Sequence, residues 1–421
     1  MRVSRYFQRF VFVLSVAIFA ALGLGFLFGE FGWFGVHAGG QQDGAYRQMH
    51  IYQEVLKKVQ TEYVTEPNIN DVTTGALHGL LESLDANSSY LSAAEYKRYK
   101  TIKSDGKADI GATVSKRFGY AAVVAVIPGG PADKAGVENS DIIESIEGKS
   151  THEMSLAEIH SLLYGETGST ITVAVVRPRR AEPQKIVITR DTVAIPPVSE
   201  KMLTDNVGYI KVDAFPEGKS QEIAGKIRDL QKQGAKKLVL DLRNSASGAE
   251  SEGVATANLF LDHGTITYLQ GQKYPRQAFN ADPAKDITKL PVAVPVNRGT
   301  AGPAELVAAA ILENARGDVV GDKTFGDGSV QKLIEMPDNS ALILSIAKYY
   351  SPSGKAIQDA AVTPNVLIAD TVEDDGGLPD EDQQAAPGEK PGDKKEEKPR
   401  NLIDEQLNKA LEVLRNRESK G

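Results

Sequence analysis

The segment Val296–Gln331, VNRGTAGPAELVAAAILENARGDVVGDKTFGDGSVQ, limits the possible fold more than any other part of this chain. An apolar run from Pro291 to Asn297 predicts the end of a buried strand, and the Gly-rich turn Arg298–Gly302 follows it. Pro303 suits the first position of a helix, and Glu305 suits the first turn, where the helix dipole favours a carboxylate. A second strand and a second Gly-rich loop complete the segment. Enzymes often place a nucleophile, or bind an anion, at such an elbow between strand and helix.

The same alternation of strands and helices continues on both sides of this segment. Strands are predicted for VGYIKVDAF, which starts at Val207, and for KKLVLDLRN, which starts at Lys236. Helices are predicted for Lys219–Gln233 and Glu252–Leu261, and a hairpin for Lys332–Tyr350. This pattern predicts an α/β core, in which helices cover the faces of a mixed sheet.

The N-terminus carries a membrane signal. Arg2, Arg5 and Arg9 precede an uncharged run from Phe10 to Phe28, which as a helix is roughly 28 Å long, about the thickness of a bilayer's hydrocarbon core. The arginines place the N-terminus in the cytoplasm and the remaining chain outside. Val36–Ala38 loosely resembles a cleavage site, but the apolar run is longer than in most signal peptides. An N-terminal transmembrane helix is therefore favoured over a cleaved signal, which would yield a secreted chain.

Composition excludes several classes of function. A length of 421 residues is enough for two or three domains, and 41% hydrophobic with 25% charged residues is typical of globular proteins. The net charge of -8 argues against nucleic acid as a partner. The absence of cysteine excludes disulfides, a thiol nucleophile and zinc–thiolate sites. The six histidines show no HExxH or triad-like spacing, so we expect neither a metal nor another cofactor.

Changes of pattern divide the chain. Ile51, Val55 and Val59 recur at helical spacing, and such an N-terminal helical region packs or dimerises more often than it catalyses. Short strands and turns follow, then the α/β core. A polar tract rich in Asp, Glu, Lys, Pro and Gly is predicted to be disordered. The predicted parts are an anchor or signal segment (1–38), a helical region (45–105), a β-rich domain (106–192), the core (193–370), a linker (371–400) and a final helix (401–418).

The β-rich part resembles a PDZ domain of the bacterial protease type. The matching segments are Ile110-Gly111-Ala112, GGPADKAGV, DIIESIEG and the helix that begins near Ser155. The resemblance implies that a chain end binds by strand addition, while backbone amides of the loop Ile110, Gly111 and Ala112 hold its carboxylate. Asp109, directly before this loop, would oppose an incoming carboxylate. A PDZ-shaped spacer that binds no peptide is the alternative.

Taken together, the chain resembles the carboxyl-terminal processing peptidases, or tail-specific proteases, from about Tyr46 to Asp370 and in the last helix. The shared segments are LDANSSYLSAAEY, the PDZ region, VGYIKVDAF, LVLDLRN, ANLFL, VGDKTFGDGSVQ and YYSPSGKAIQ. The resemblance implies a serine peptidase whose PDZ domain is inserted into the chain and gates access to an α/β core. It also implies a Ser–Lys dyad, in which a buried, neutral lysine takes the serine proton.

Both reacting side chains of that dyad are missing here. The family's elbow, Gly-Ser-Ala-Ser-Ala-Ser-Glu, aligns with Gly299–Glu305 and puts Gly302 at the nucleophile position. Its Phe-Gly-Lys-Gly loop aligns with Phe325–Gly328 and puts Asp327 at the lysine position, while the supporting glutamine is kept as Gln331. Loss of one member of such a unit costs on the order of a million-fold in turnover.

The loop expected to stabilise the oxyanion also departs from the family. Asn-Pro-Gly-Gly is replaced by Ser245-Ala246-Ser247-Gly248, so the amide donors expected near Ser247 and Gly248 are in doubt. Thr300 and Lys323 are the candidates for a displaced nucleophile and base.

These features predict a pseudopeptidase of the cell envelope, anchored in the inner membrane with its bulk in the periplasm. Its PDZ domain and inactive cleft would bind protein C-termini or unfolded polypeptide, in a homo-oligomer or beside an active paralogue. Two alternatives remain. One is a working serine-type endopeptidase with a rearranged site, and the other is a purely structural envelope protein.

Overall fold

A computed structural model describes residues 40–105, 108–117, 119–177, 182–369 and 404–418. The predicted membrane segment and the predicted linker 371–400 lie outside these residues. Among the helices that the structure does describe, none combines the length and the apolar character needed to cross a membrane. The first elements are α1 (Gly40–Glu62), α2 (Ile69–Glu82), β1 (Ser89–Leu91) and α3 (Ala93–Asp105). Of the described residues, those up to Gly75 form one compact unit and those from Ala76 onward form a second.

The PDZ region is a small sheet with two helices. Its strands pair in the order β2-β3-β4-β6-β7, and β5 pairs with β4. The core is built from alternate residues, such as Ile186 and Ile188 of the last strand, which are buried between exposed neighbours. The elements are β2 (Ala112–Arg117), β3 (Tyr120–Val126), α4 (Pro131–Lys134), β4 (Ile142–Ile146), β5 (Lys149–Ser150), α5 (Leu156–Leu163), β6 (Thr170–Val176) and β7 (Gln184–Thr189).

The remaining chain forms the α/β core. Its first elements are β8 (Ser199–Leu203), β9 (Val207–Lys211), α6 (Lys219–Lys232), β10 (Lys237–Asp241), α7 (Glu250–Asn258), β11 (Thr265–Gln270) and β12 (Gln277–Asn280). The later ones are β13 (Val292–Val296), α8 (Pro303–Glu313), β14 (Asp318–Gly321), β15 (Ser329–Glu335), β16 (Ala341–Tyr350), α9 (Ile357–Ala360), β17 (Val366–Leu367) and α10 (Glu405–Glu418).

The central sheet of the core has the strand order β17-β14-β13-β10-β9-β8, and only β8 runs antiparallel to its neighbour. Every residue of β10 and β13 is buried, which explains the apolar runs Leu238–Leu240 and Val292–Val296. A second, antiparallel sheet has the order β1-β16-β11-β12, with β15 also paired to β16. Because parallel strands end at the same edge, the loops after β10, β13 and β14 converge there. Those three loops carry the candidate site.

Helix α8 is buried around most of its circumference, from Pro303 to Ile311. Its many alanines allow a close approach to α7. A Cβ added at Gly253 of α7 would lie 2.4 Å from the Pro303 carbonyl oxygen, so only glycine fits there. The elbow that begins this helix is therefore held rigidly inside the core.

The predicted fold class, a mixed α/β core with a PDZ domain, is confirmed. Some boundaries differ. The helix predicted at Glu252–Leu261 spans Glu250–Asn258. Strand β1 lies in the region 45–105 that was predicted to be helical, and it is extended because Ser89–Leu91 pairs with β16.

Candidate active site

Gly302 lies at the end of the elbow and directly precedes helix α8. Its backbone has φ 57° and ψ −121°, a conformation that side chains of L-residues strain to adopt. Apart from Gly302 itself and its two neighbours in the chain, no heavy atom lies within 4 Å of a Cβ built at this position. The elbow therefore has room for a side chain at the position that the family resemblance assigns to the nucleophile, and the side chain is missing.

Glu305 joins the elbow to the Gly-rich loop that follows β14. Its side chain is fully buried, and its Oε2 accepts the Gly302 amide at 3.0 Å and the Asp327 amide at 2.8 Å. Its Oε1 accepts the Gly326 amide at 2.8 Å and the Thr324 hydroxyl. One carboxylate thus connects the nucleophile position to the lysine position. Sequence reasoning placed Glu305 only as a residue favoured by the helix dipole.

The electrostatics of Glu305 reflect its burial. Removal from water is the main cause that raises the pKa of this carboxyl to about 8, and the nearby negative charge of Asp327 contributes in the same direction. The donors from Thr324, Gly326 and Asp327 act in the opposite direction, since they favour the charged form. The site therefore holds two acidic groups close together, where the family's dyad has a serine hydroxyl and a neutral amine.

Asp327 occupies the loop position expected for the lysine. Its carboxylate lies 3.4 Å from Asn87 Nδ2, which donates to Ser329 Oγ at 2.9 Å. Gln331 is exposed, and its Nε2 donates to the same Ser329 hydroxyl at 2.7 Å. Asn87 precedes β1 and was not among the predicted site residues, because it lies 240 positions from Asp327.

The oxyanion position is altered in a way that the sequence analysis missed. In the nucleophile elbows of α/β-hydrolases, which also join a strand to a helix, the amide of the residue after the nucleophile donates to the oxyanion. Here that residue is Pro303, whose nitrogen carries no hydrogen. The signal was present in the sequence, where Pro303 was read only as a helix start.

The loop Ser245–Gly248 runs alongside Phe215. The Phe215 amide donates to the Ser247 carbonyl at 2.8 Å, and the Ala249 amide donates to the Phe215 carbonyl at 2.8 Å. Gly248 has φ 126°, and an added Cβ would lie 2.2 Å from the Phe215 carbonyl oxygen. The Ser245 hydroxyl is buried and has no hydrogen-bond partner among the described residues.

The two candidates for displaced chemistry do not meet. Thr300 is fully buried, and its hydroxyl donates to the Leu242 carbonyl at 2.8 Å while accepting the Asn297 amide at 3.0 Å. Lys323 is exposed on the loop after β14. A hydroxyl already committed to two backbone groups is poorly placed to attack a substrate.

The PDZ domain rests on this site. Val124 and Ala125 of β3 form a small buried cluster with Ala246 and Ala301, against which Phe325 packs. In the PDZ loop itself, the Gly111 amide donates to the Asp109 carboxylate at 2.7 Å. Burial raises the pKa of Asp109, and its contacts with loop amides lower it in part.

Comparison with known proteins agrees with this architecture. Residues 206–368 match the model of peptidase family S41, and residues 123–177 match a PDZ domain. The carboxyl-terminal-processing protease of Picosynechococcus sp. is 33% identical over 299 residues, 70% of this chain and 72% of that protein. This chain belongs to peptidase family S41.

Two further relatives extend the comparison. The carboxy-terminal processing protease CtpA of Bacillus subtilis is 30% identical over 365 residues, 86% of this chain and 77% of that protein. Among solved structures, the photosystem II D1 C-terminal processing protease superposes with a TM-score of 0.63 at 26% identity, covering 76% of this chain and 92% of that one. The family's fold is thus kept over most of the chain.

Proposed function

We propose that this S41 family member binds polypeptide without cutting it. The observation that carries the proposal is the pair Gly302-Pro303 at the elbow, which supplies neither a nucleophilic side chain nor the amide hydrogen that follows one. Asp327 adds a carboxylate where the dyad needs a neutral amine. A peptide carbonyl in this cleft would meet no attacking group, no base of the dyad type and a reduced oxyanion hole.

The binding function rests on what the fold retains. The elbow, its helix and the Gly-rich loop are all present, and Glu305 joins them through hydrogen bonds from backbone amides. The PDZ domain packs against the same loops through Ala246 and Ala301. We propose that unfolded chains or chain ends bind along the groove and cleft. By the same proposal the protein is anchored in the cell envelope, as a homo-oligomer or beside an active paralogue.

A turnover assay tests the absence of cutting. The full chain in detergent is incubated with a fluorescein-labelled unfolded protein, and fragments are followed by mass spectrometry. We expect no turnover, and Thr300→Ala and Lys323→Ala should be indistinguishable from the wild type. Turnover that either substitution abolishes would establish the rearranged peptidase instead. Binding of the intact reporter is measured in parallel by anisotropy, and its absence would leave only a structural role.

Installing the dyad tests which losses matter. We expect Gly302→Ser with Asp327→Lys to give weak or no turnover, because the oxyanion loop Ser245–Gly248 is altered and Pro303 still lacks its amide hydrogen. Adding Pro303→Ala restores that donor, so the triple variant should exceed the double variant. Equal rates in the two variants would show that the Pro303 amide is not the missing donor.

A further inference from the structure

We propose that the PDZ groove of this chain accepts polypeptide as an internal segment and not by its end, because the Asp109 carboxylate already occupies the loop that would hold a terminal carboxylate. This inference rests on the proposed binding function and narrows it: of the unfolded chains and chain ends named there, the PDZ groove takes internal segments of unfolded chains.

The groove lies beside β2, an edge strand that pairs only with β3 among the described strands. Directly before β2, the backbone of Asp109 is held by Asp191, with N···O distances of 3.1 and 3.2 Å in the two directions. Ala108 accepts the Gly165 amide at 3.1 Å. With the backbone fixed in this way, the Asp109 side chain stays at the entrance of the carboxylate-binding loop.

The Gly111 amide points at Asp109 instead of at open groove, and it donates to Asp109 Oδ1 at 2.7 Å. The carbonyl groups of the loop are hydrogen-bonded within the PDZ domain. The Ala132 amide donates to the Ile110 carbonyl at 2.7 Å, and the Ile127 amide donates to the Gly111 carbonyl at 2.8 Å. The Gly111 amide is one of the loop donors that a chain-end carboxylate would need.

A terminal carboxylate must therefore compete with one that is covalently part of the loop. The tethered group has a high effective concentration at its own donors, and displacing it would leave two negative charges in contact. An internal segment brings no such charge. It needs only the edge of β2, so the Asp109 contact selects against chain ends while leaving strand addition possible.

The edge of β2 is itself covered by an exchangeable contact. His160 of α5 places Nε2 2.9 Å from the Val114 carbonyl oxygen, and since a carbonyl can only accept, this nitrogen carries the proton. An added strand would replace the imidazole with one of its own amides, exchanging one hydrogen bond for another. The free-energy cost of displacing the His160 imidazole from Val114 is the same for an internal segment and for a chain end.

Paired peptides test the inference. Fluorescein-labelled decapeptides ending in valine, each made as a free acid and as an amide, are titrated against the full chain by anisotropy. We expect the wild type to bind both forms within about twofold of each other, because neither end is recognised. Asp109→Ala frees the loop amides and should bind the free acid at least roughly tenfold more tightly than the amide.

The matched control is Asp133→Ala. Asp133 Oδ2 accepts the Gly129 amide at 2.7 Å in the same domain, so this change removes an equal charge and a similar contact outside the loop. It should leave the ratio of the two affinities unchanged. His160→Ala should increase the affinity for both peptide forms by the same factor, since it exposes the edge of β2 without changing the loop Ile110, Gly111 and Ala112.

Two results would overturn the inference. One is a wild type that already prefers the free acid by tenfold or more, and the other is an Asp109→Ala variant without that preference. If Asp109→Ala does not fold, Asp109→Asn keeps an oxygen for the Gly111 amide and removes the charge. Asp109→Asn should raise the ratio of the affinity for the free acid to that for the amide above the wild-type value. An unchanged ratio refutes the inference. Peptide cleavage in the same samples would count against the proposed function alone.

Discussion

Replacing Glu305 by alanine removes the connection between the elbow and the Gly-rich loop. In the structure, the amides of Gly302, Gly326 and Asp327 all donate to this one carboxylate at 2.8 to 3.0 Å. The site is fully buried, with the side chain of Glu305 at 0% exposure, so water cannot replace the lost acceptor without opening the core.

The loss of stability expected for Glu305→Ala can be worked out from the number of hydrogen-bond donors left without an acceptor. Each buried amide that loses its partner costs about 1–3 kcal/mol, so the three together set a minimum of about 3 kcal/mol. The cavity left by the side chain adds to this cost, and relief from burying an acidic group subtracts from it. We expect a loss of about 3–5 kcal/mol in the free energy of unfolding, a large part of the stability of an average domain.

Hydrogen exchange gives the sharpest readout, because it reports the individual amides at 302, 326 and 327. All three should lose protection in Glu305→Ala, while urea unfolding followed by circular dichroism gives the overall loss. The control is Glu313→Ala at the other end of α8, where the carboxylate accepts a single amide, that of Ser353, at 2.7 Å. A loss below about 1 kcal/mol, or one equal to that of the control, would refute the assigned role.

Three further predictions concern the same core. Burial raises the pKa of Glu305 to about 8 from an ordinary 4.5, so the folded chain binds more protons than the unfolded chain between these values. The contribution of this proton to the free energy of unfolding is complete below pH 4.5 and is lost as pH rises through 8, at up to about 1.4 kcal/mol per pH unit. Glu305→Gln should remove this dependence of the unfolding free energy on pH, which urea unfolding curves at several pH values measure. Gly302→Ala should lower the free energy of unfolding by only about 1–2 kcal/mol, because the change strains the backbone and meets no neighbour. Gly253→Ala should lower it clearly more in the same assay, because its Cβ would lie 2.4 Å from a carbonyl oxygen of α8. Asp404 accepts hydrogen bonds from the Leu407 amide at 2.9 Å and from two nitrogens of Arg243 at 2.8 Å. Asp404→Ala should therefore lower the free energy of unfolding by about 1–2 kcal/mol and speed limited proteolysis of α10. An unchanged rate of proteolysis would contradict the role of this contact.

Local sequence determined the elbow and what it lacks. An apolar strand, a Gly-rich turn and Pro303 specify strand, turn and helix start through backbone preferences that act over a few residues. Gly302 and Asp327 were placed at the dyad positions from the sequence alone, because glycines and Glu305 align the two motifs without a gap. Asp109 was also noticed from the sequence, because it directly precedes the loop Ile110, Gly111 and Ala112, but its hydrogen bond with the Gly111 amide was not predicted.

Tertiary structure decided which side chains meet. Glu305 became the central acceptor because its donors arrive on a loop about twenty residues later, after β14, and no local pattern encodes that meeting. Thr300 was a plausible hydroxyl in the sequence, but the elbow turns it inward to the Leu242 carbonyl. Asn87 reaches the site only because β1 pairs with β16. Backbone preferences are local, whereas side-chain partners depend on how distant strands and loops pack, so the sequence located the site and the fold determined its contacts.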